Sequence, residues 1–203
     1  MRSSLPKQFI LVNEKPILMY TIQLFYEFDP TIEIILTLPE DWRAYWEELM
    51  LEHDFKIPHR IVSGGKERYD SIKNALEKCT GDLIGVHDGV RPLVEHDTIK
   101  HCFDAAEKSG AAIPVVPIVE SMRMKTIEGT QIVDRSDFLI VQTPQCFQRN
   151  ILLNAYQIPY HKGITDDASL VEEAGYTVET IIGNDSNIKI TTQSDLKYAG
   201  MFL

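Results

Sequence analysis

The chain has 203 residues, with 20 Lys and Arg against 30 Asp and Glu, a formal net charge of −10, and 44% hydrophobic and 25% charged residues. That length supports one large core, and the acidic balance excludes a broad nucleic-acid face, which needs Lys and Arg clustered over one surface. No apolar run reaches the roughly 18 residues of a membrane span and the first residues lack a signal-like apolar stretch, so no membrane partner is expected and the expected compartment is the cytoplasm.

Taken in chain order, Ile17, Leu18, Thr21, Leu24, Phe25 and Phe28 recur at helical spacing behind Pro16. The segment TIEIILTL then predicts a strand, Trp42, Tyr45, Trp46, Leu49 and Met50 a second helix, and IPHRIV a second strand. A helix near Glu67–Lys78, the strand LIGVH, a helix near His96–Lys108 and the apolar strand AAIPVVPIV continue the alternation. Strands alternating with helices of about 10–15 residues predict βαβ units, hence a doubly wound α/β fold with a mostly parallel sheet. No repeat or low-complexity linker interrupts residues 1–203, which read as a single domain. The three cysteines, Cys79, Cys102 and Cys146, are far apart and without a CxxC pair, which indicates neither a disulfide framework nor a zinc site.

One segment breaks the rhythm. Residues 118–138, IVESMRMKTIEGTQIVDRSDF, have β-rich flanks around Glu128-Gly129 and read as a projecting hairpin. A two-stranded ribbon is marginal alone in water, so this arm is expected to dock on a second copy of the chain.

Polar residues gather where strands end, the position at which open α/β sheets bind ligands. In SGGKERYDS, Gly64 and Gly65 allow a tight turn, while Arg68 and Ser71 open the next helix; the same pattern also fits a plain glycine turn with a cap. In GVHDGVRP, Asp88 ends a strand, where one carboxylate beside phosphates suits Mg²⁺, Gly89 permits close approach, and Arg91 orients Asp88 or the ligand. The alternative is a turn capped by Asp88 and ion-paired to Arg91, with His87 packed. Thr143 and Lys189 are the polar tips of VQTPQ and NIKIT, and by alternation alone Lys189 is an ordinary solvent-facing lysine. TDDAS, with Asp166 and Asp167, reads as a helix cap and gives no metal site by spacing. Lys7 in SLPKQF, taken alone, reads as a solvated start.

Together, PKQF, GGKERYDS, HDGVRP, the hairpin ending in VDR, QTPQ, TDDAS and NIKIT give a chain that resembles the 2-C-methyl-D-erythritol 4-phosphate cytidylyltransferases of the non-mevalonate isoprenoid pathway. The motifs run in that family's order from Leu5 to about Lys197. The related ribitol 5-phosphate cytidylyltransferases share most of them, and VDR with the apolar VQTPQ stands closer to the erythritol enzymes.

The resemblance implies a Rossmann-like nucleotidyltransferase fold, CTP and a polyol phosphate as substrates, Mg²⁺ as cofactor and a homodimer. It makes Lys7 and Lys189 the catalytic lysines, with Gly64, Gly65, Arg68, Ser71, Asp88, Gly89 and Arg91 around the nucleotide and Asp88 at the metal. Gly89 stands where the family has alanine. Ser121, Arg135 and Thr143 fall on the substrate side, with Ser121 and Arg135 reaching across the dimer to the sugar phosphate. The family begins with a hydrophobic strand and a loop, Ala-Ala-Gly-x-Gly-x-Arg-Met, and Met1 falls on that loop's last methionine. The natural chain is therefore expected to continue upstream, because a sheet lacking a central strand exposes its neighbours' ladder groups at about 1–3 kcal/mol for each unsatisfied group. If it does not, the competing reading is a non-catalytic nucleotide-binding module; a third is a structural dimer whose basic hairpin binds an acidic partner.

Overall fold

A computed structural model describes residues 5–203. A 3-10 turn at Lys7–Phe9 leads into a minimal hairpin, β1 (Leu11–Val12) and β2 (Lys15–Pro16), reversed by Asn13 and Glu14 at φ of 47° and 66°. Pro16, fixed near its usual φ at −57°, immediately precedes α1 (Ile17–Phe28), whose Ile17, Leu18, Met19 and Ile22 are buried. The alternation expected from the periodicity then follows: β3 (Ile35–Leu38), α2 (Arg43–Glu52), β4 (Arg60–Ser63), α3 (Arg68–Leu76), β5 (Leu83–Val86), α4 (His96–Ser109) and β6 (Ala111–Pro117). Gly110, at φ 96°, ends α4 in a conformation that a Cβ would strain, and its N–H closes on Ala106 O at 2.8 Å.

The break in rhythm is a hairpin, β7 (Arg123–Thr126) and β8 (Gly129–Ile132), with Arg123 opposite Ile132 and Thr126 opposite Gly129. Every residue of both strands is exposed. After it come β9 (Leu139–Val141), β10 (Gln145–Gln148), α5 (Arg149–Ala155), α6 (Asp167–Glu173), β11 (Glu179–Ile182) and α7 (Gln193–Ala199).

The main sheet has the order β11-β6-β10-β5, with β9 also paired to β6. β11 runs parallel to β6, and β5 and β6 share a direction because both lie antiparallel to β10. β9 and β10 form a nearly continuous antiparallel partner for β6, interrupted at Gln142–Pro144, where the Thr143-Pro144 peptide is cis. The sheet is thus mostly parallel in strand direction, with a reversed strand at its centre that the helix–strand alternation does not foresee. β3 and β4 form a separate parallel pair.

Two apolar clusters hold these layers. One joins β10, α3, α5 and α6 through Phe147, Tyr69, Leu76, Leu152 and Leu170; the other joins the first turn, α1 and α2 through Phe9, Leu18, Met19, Trp46 and Leu49. Between β3 and β5 lies a cavity of about 670 Å³, lined in its depth by Phe25, Ile34, Leu36, Ile72, Ile84 and Phe103. Arg60 and Gly64 donate their N–H groups to Ile34 O and Leu38 O, so Ile35 and Thr37 turn their backbone groups toward that cavity. No strand pairs with that edge of β3 among the described residues. The expected upstream strand and glycine-rich loop lie outside the described residues.

Phe147, fully buried in β10, pairs with Ile84 of β5 and Ala111 of β6 and sits in the cluster that α3, α5 and α6 close over. Phe147→Ala should cost about 3–5 kcal/mol through the cavity it leaves, and lower the melting temperature by about 10 °C in a calorimetric scan.

Candidate active site

Three loops meet at the carboxyl end of β5. Directly after that strand, Arg91 N–H closes on Asp88 O at 3.0 Å and fixes a tight turn through Gly89. The Asp88 carboxylate, 16% exposed, accepts from Arg91 Nε at 3.2 Å and from Lys189 Nζ at 3.1 Å, both on Oδ2. Lys189 comes from the segment after β11, where exposed Lys189 sits between half-buried Ile188 and buried Ile190, and Ile190 N–H binds Val90 O at 3.0 Å. Arg91 Nη1 also donates to Asn187 O at 2.6 Å, stitching the two loops together. Burial pushes the Asp88 carboxyl up, but Lys189, Arg68 and Arg91 together outweigh it and hold the group below the usual carboxylate range.

Behind Asp88 runs a polar relay whose proton positions follow from its partners. Asp88 N–H donates to Thr143 Oγ1 at 3.1 Å, and Thr143 Oγ1 lies 3.0 Å from His87 Nδ1. His87 Nε2 lies 3.0 Å from Arg91 O, which can only accept, so Nε2 carries the proton and Thr143 donates to Nδ1. Burial lowers the His87 pKa to about 4, keeping the ring neutral as this relay requires. Its face meets Phe25 edge-on at 4.8 Å.

The second loop follows β4. Glu67 and Asp70 form a capping box at the start of α3, and Gly65 N–H donates to Ser71 Oγ at 3.0 Å. A Cβ on Gly65 would stand 2.1 Å from Asp70 Cβ, so the turn closes only with glycine there. Arg68, the first residue of α3, donates to Asp167 Oδ2 at 2.5 Å across to the start of α6. Asp167 is fully buried, and its Oδ1 accepts from Tyr156 Oη at 2.6 Å. Its neighbour Asp166 caps α6 by accepting from Ser169 N–H at 2.9 Å, and Gln145 Nε2 of β10 donates to Asp166 Oδ2 at 2.7 Å.

Arg68, Ser71, Asp88, Gly89 and Lys189 therefore line one mouth of the cavity between β3 and β5. Below that mouth the cavity is apolar and runs between edges of β3 and β5 that pair with no strand among the described residues, the room a sheet strand takes, so the convergent polar groups and not the volume mark the site. At its rim sit two cations, Arg68 and Lys189, and one carboxylate, Asp88, with Arg91 behind it, a set that suits a phosphorylated ligand better than a neutral one.

The IspD family model, 2-C-methyl-D-erythritol 4-phosphate cytidylyltransferase, matches residues 1–203. The chain belongs to that family. It is an enzyme of the cytidylyltransferase class. A curated 2-C-methyl-D-erythritol 4-phosphate cytidylyltransferase of Phocaeicola vulgatus is 46% identical over 204 residues, covering 100% of this chain and 93% of the relative. One of Porphyromonas gingivalis is 46% identical over 201 residues, covering 98% of this chain and 89% of the relative. The crystal structure of the Thermus thermophilus enzyme superposes with a TM-score of 0.84 at 30% identity, covering 97% of this chain and 93% of that one.

Against this family background, the other residues singled out in the sequence fall in four places. Gly64 and Gly65 shape the loop before α3, while Arg91 and Thr143 stand behind Asp88; Thr143 is buried, with its hydroxyl committed to the relay. Lys7 is exposed on the first 3-10 turn, and its neighbour Gln8, not Lys7 itself, lines the cavity. Ser121 and Arg135 are exposed at the base of the hairpin, where Arg135 donates to Val119 O, and neither lines the cavity of its own chain.

Among the described residues no group of three or more His, Cys, Asp or Glu could hold a metal ion by itself. Asp88 nevertheless fits Mg²⁺: its Oδ2 is occupied, no hydrogen bond among the described residues engages Oδ1, and magnesium commonly takes a single carboxylate with phosphate oxygens and water. Sequence pattern alone does not reveal Asp167, Tyr156 or Asn187. The first carried a signal, the doubled carboxylate of TDDAS, of which a cap needs only one.

His87 gives the site a pH signature. Its folded pKa near 4 lies below the ordinary value of 6.5, so the unfolded chain takes up a proton that the native chain refuses between those values. Native stability is then full above pH 6.5 and should fall by about 2–3 kcal/mol as pH drops toward 4. In urea titrations across that range, His87→Gln should flatten the slope whatever it does to stability at neutral pH; an unchanged slope would show that His87 does not titrate this way.

Proposed function

We propose that the mouth formed by Arg68, Ser71, Asp88 and Lys189 is where a cytidylyl group passes from CTP to 2-C-methyl-D-erythritol 4-phosphate, giving the CDP-linked alcohol and pyrophosphate for isoprenoid precursor synthesis in the cytoplasm. The observation that carries this is the convergence of Lys189, Arg68 and Arg91 on Asp88 at one mouth of the cavity between β3 and β5, in a chain of this family. A phosphate oxygen of the acceptor attacks the α-phosphorus of CTP, and the bond from that phosphorus to the bridging oxygen of the pyrophosphate breaks. No covalent enzyme intermediate is needed, so the protein contributes position and charge.

Lys189, half-exposed and tethered only at Asp88, can turn its ammonium to the α-phosphate while remaining anchored through Ile190. Lys7, exposed next to Gln8 of the cavity lining, supplies in this reading a second cation to the triphosphate. Gly64 and Gly65 bring backbone close to the cytidine, with Ser71 beneath them. Arg91, the relay and Gly89 fix Asp88. Mg²⁺ at Asp88 would neutralise phosphate charge and orient the oxygens.

The acceptor's phosphate is held from a second copy of the chain. The hairpin exposes Met124, Ile127 and Ile132, and β9 exposes Leu139, Ile140 and Val141, apolar side chains that a partner would cover. Ser121 and Arg135 sit at its base, and the planar fork of Arg135 suits two phosphate oxygens at once.

Lys189→Ala should lower turnover about a hundredfold or more, the scale of losing one transition-state donor, and Lys7→Ala similarly. Steady-state release of pyrophosphate from CTP measures this, and near-native rates in either variant remove that lysine from the mechanism. Arg135→Ala should raise KM for the sugar phosphate with CTP affinity near normal; equal weakening of both would overturn the cross-subunit role.

A further inference from the structure

The pair of carboxylates in TDDAS divides its labour, and only half of it is capping. Asp166 closes the first turn of α6, while Asp167 points inward, wholly out of water, to meet Arg68 of α3 at 2.5 Å, ninety-nine residues away in the chain. A buried carboxylate needs both oxygens satisfied. Oδ2 takes Arg68, and Oδ1 takes the hydroxyl of Tyr156, whose pKa is pushed up by burial and by Asp167, so that it stays a donor. Tyr156 is itself immobilised, stacked on Tyr69 at 4.9 Å, and Tyr69 Oη donates to Ile158 O at 2.6 Å. The carboxylate is therefore buried and fixed at Oδ1 by a tyrosine that is itself packed, which leaves Oδ2 to Arg68.

Arg68 is different. Its side chain is 41% exposed, it lines the cavity mouth, and its contact with Asp167 is the one hydrogen bond it makes among the described residues. A guanidinium has five N–H donors. One end is anchored to Asp167, and the others remain available beside Asp88 and Lys189. A fork fixed at one end loses less freedom when it grips phosphate than one free to swing.

We propose that Asp167, braced by Tyr156, is a positioning residue that aims the Arg68 guanidinium at the nucleotide phosphates. It rests on the nucleotide reading of the cavity mouth given above. Asp167 touches no ligand in this assignment, and everything it does for binding passes through Arg68.

The test is a double-mutant cycle on CTP affinity, measured by calorimetry on the complete chain with Mg²⁺ present. Asp167→Asn keeps the shape and an acceptor for Tyr156 but removes the charge on Arg68. It should weaken CTP about tenfold, a difference of about 1.4 kcal/mol. In the Arg68→Ala background the same Asp167→Asn change should cost nothing further, because its target is gone. If it costs the same tenfold there, Asp167 serves the fold at large and the inference fails while the nucleotide site stands. If Arg68→Ala alone leaves CTP affinity unchanged, the placement of Arg68 in the nucleotide site fails, and the inference falls with it. Should Asp167→Asn not fold, Tyr156→Phe runs the same cycle: a loss of CTP affinity that disappears without Arg68 supports the relay, and a loss that persists overturns it.

Discussion

Everything at the mouth of this molecule depends on one carboxylate that is kept charged although partly buried. Asp88 stands at the end of β5 with Lys189, Arg68 and Arg91 around it, and these arrive from three separate stretches of chain. Taking a carboxylate out of water is costly unless cations and hydrogen bonds replace its hydration. Here the replacement comes from loops that would otherwise be independent, so satisfying Asp88 also fixes the relative positions of the segment after β5 and the segment after β11. The stitches at Arg91–Asn187 and Ile190–Val90 do the same with neutral groups. Local electrostatics and loop geometry are thus one constraint, and a change at any of these positions propagates to the others.

The sheet explains why the site lies where it does. β5 carries Asp88 to the carboxyl end, and the reversed strand β10 beside it brings Thr143 within reach of the Asp88 backbone. The cis Thr143-Pro144 peptide lies at the gap between β9 and β10, where Gln142 still binds β6 through Pro114 O at 2.8 Å. Gln145, which opens β10, then reaches α6 through Asp166 and through Ala168 N–H at 2.9 Å. One short strand therefore positions the carboxylate on one side and the start of α6, with Asp167, on the other.

What the amino-acid pattern exposes, and what it hides, follows from the range of each interaction. The helices and strands up to β6 carry their own periodicity, and the loops after β4 and β5 announce themselves through Gly64-Gly65 and Asp88-Gly89, because tight turns need particular residues locally. Lys189 does not: it alternates with two isoleucines as any exposed lysine would, and its value comes from a contact with Asp88, far earlier in the chain. β10 is four residues long with no alternation of its own, and its reversed direction is set by pairing with β5 and β6. Asp167 looks like a second capping residue until the stack of Tyr69 on Tyr156 shows what surrounds it. Family resemblance points to Lys7, Lys189 and Arg135 because it carries long-range information that periodicity lacks. It gives no reason for Asp167.

The charge balance of the whole chain sharpens the role of this small cationic cluster. A protein with net charge −10 has no global attraction for a nucleoside triphosphate. At physiological ionic strength, however, exposed charges are screened beyond about 8 Å, so the acidic surface elsewhere matters less than the groups at the mouth. There the obstacle is Asp88 itself, a negative group beside an arriving anion. Lys189 and Arg91 already share one of its oxygens, and Arg68 adds to the field without touching it. In the proposed reading an incoming phosphate would meet a carboxylate whose charge is largely compensated and a lysine that can exchange one oxygen partner for another. On the same reading the contacts that hold Asp88 and the contacts that would receive phosphates draw on the same cations, so stability and binding at this mouth are coupled.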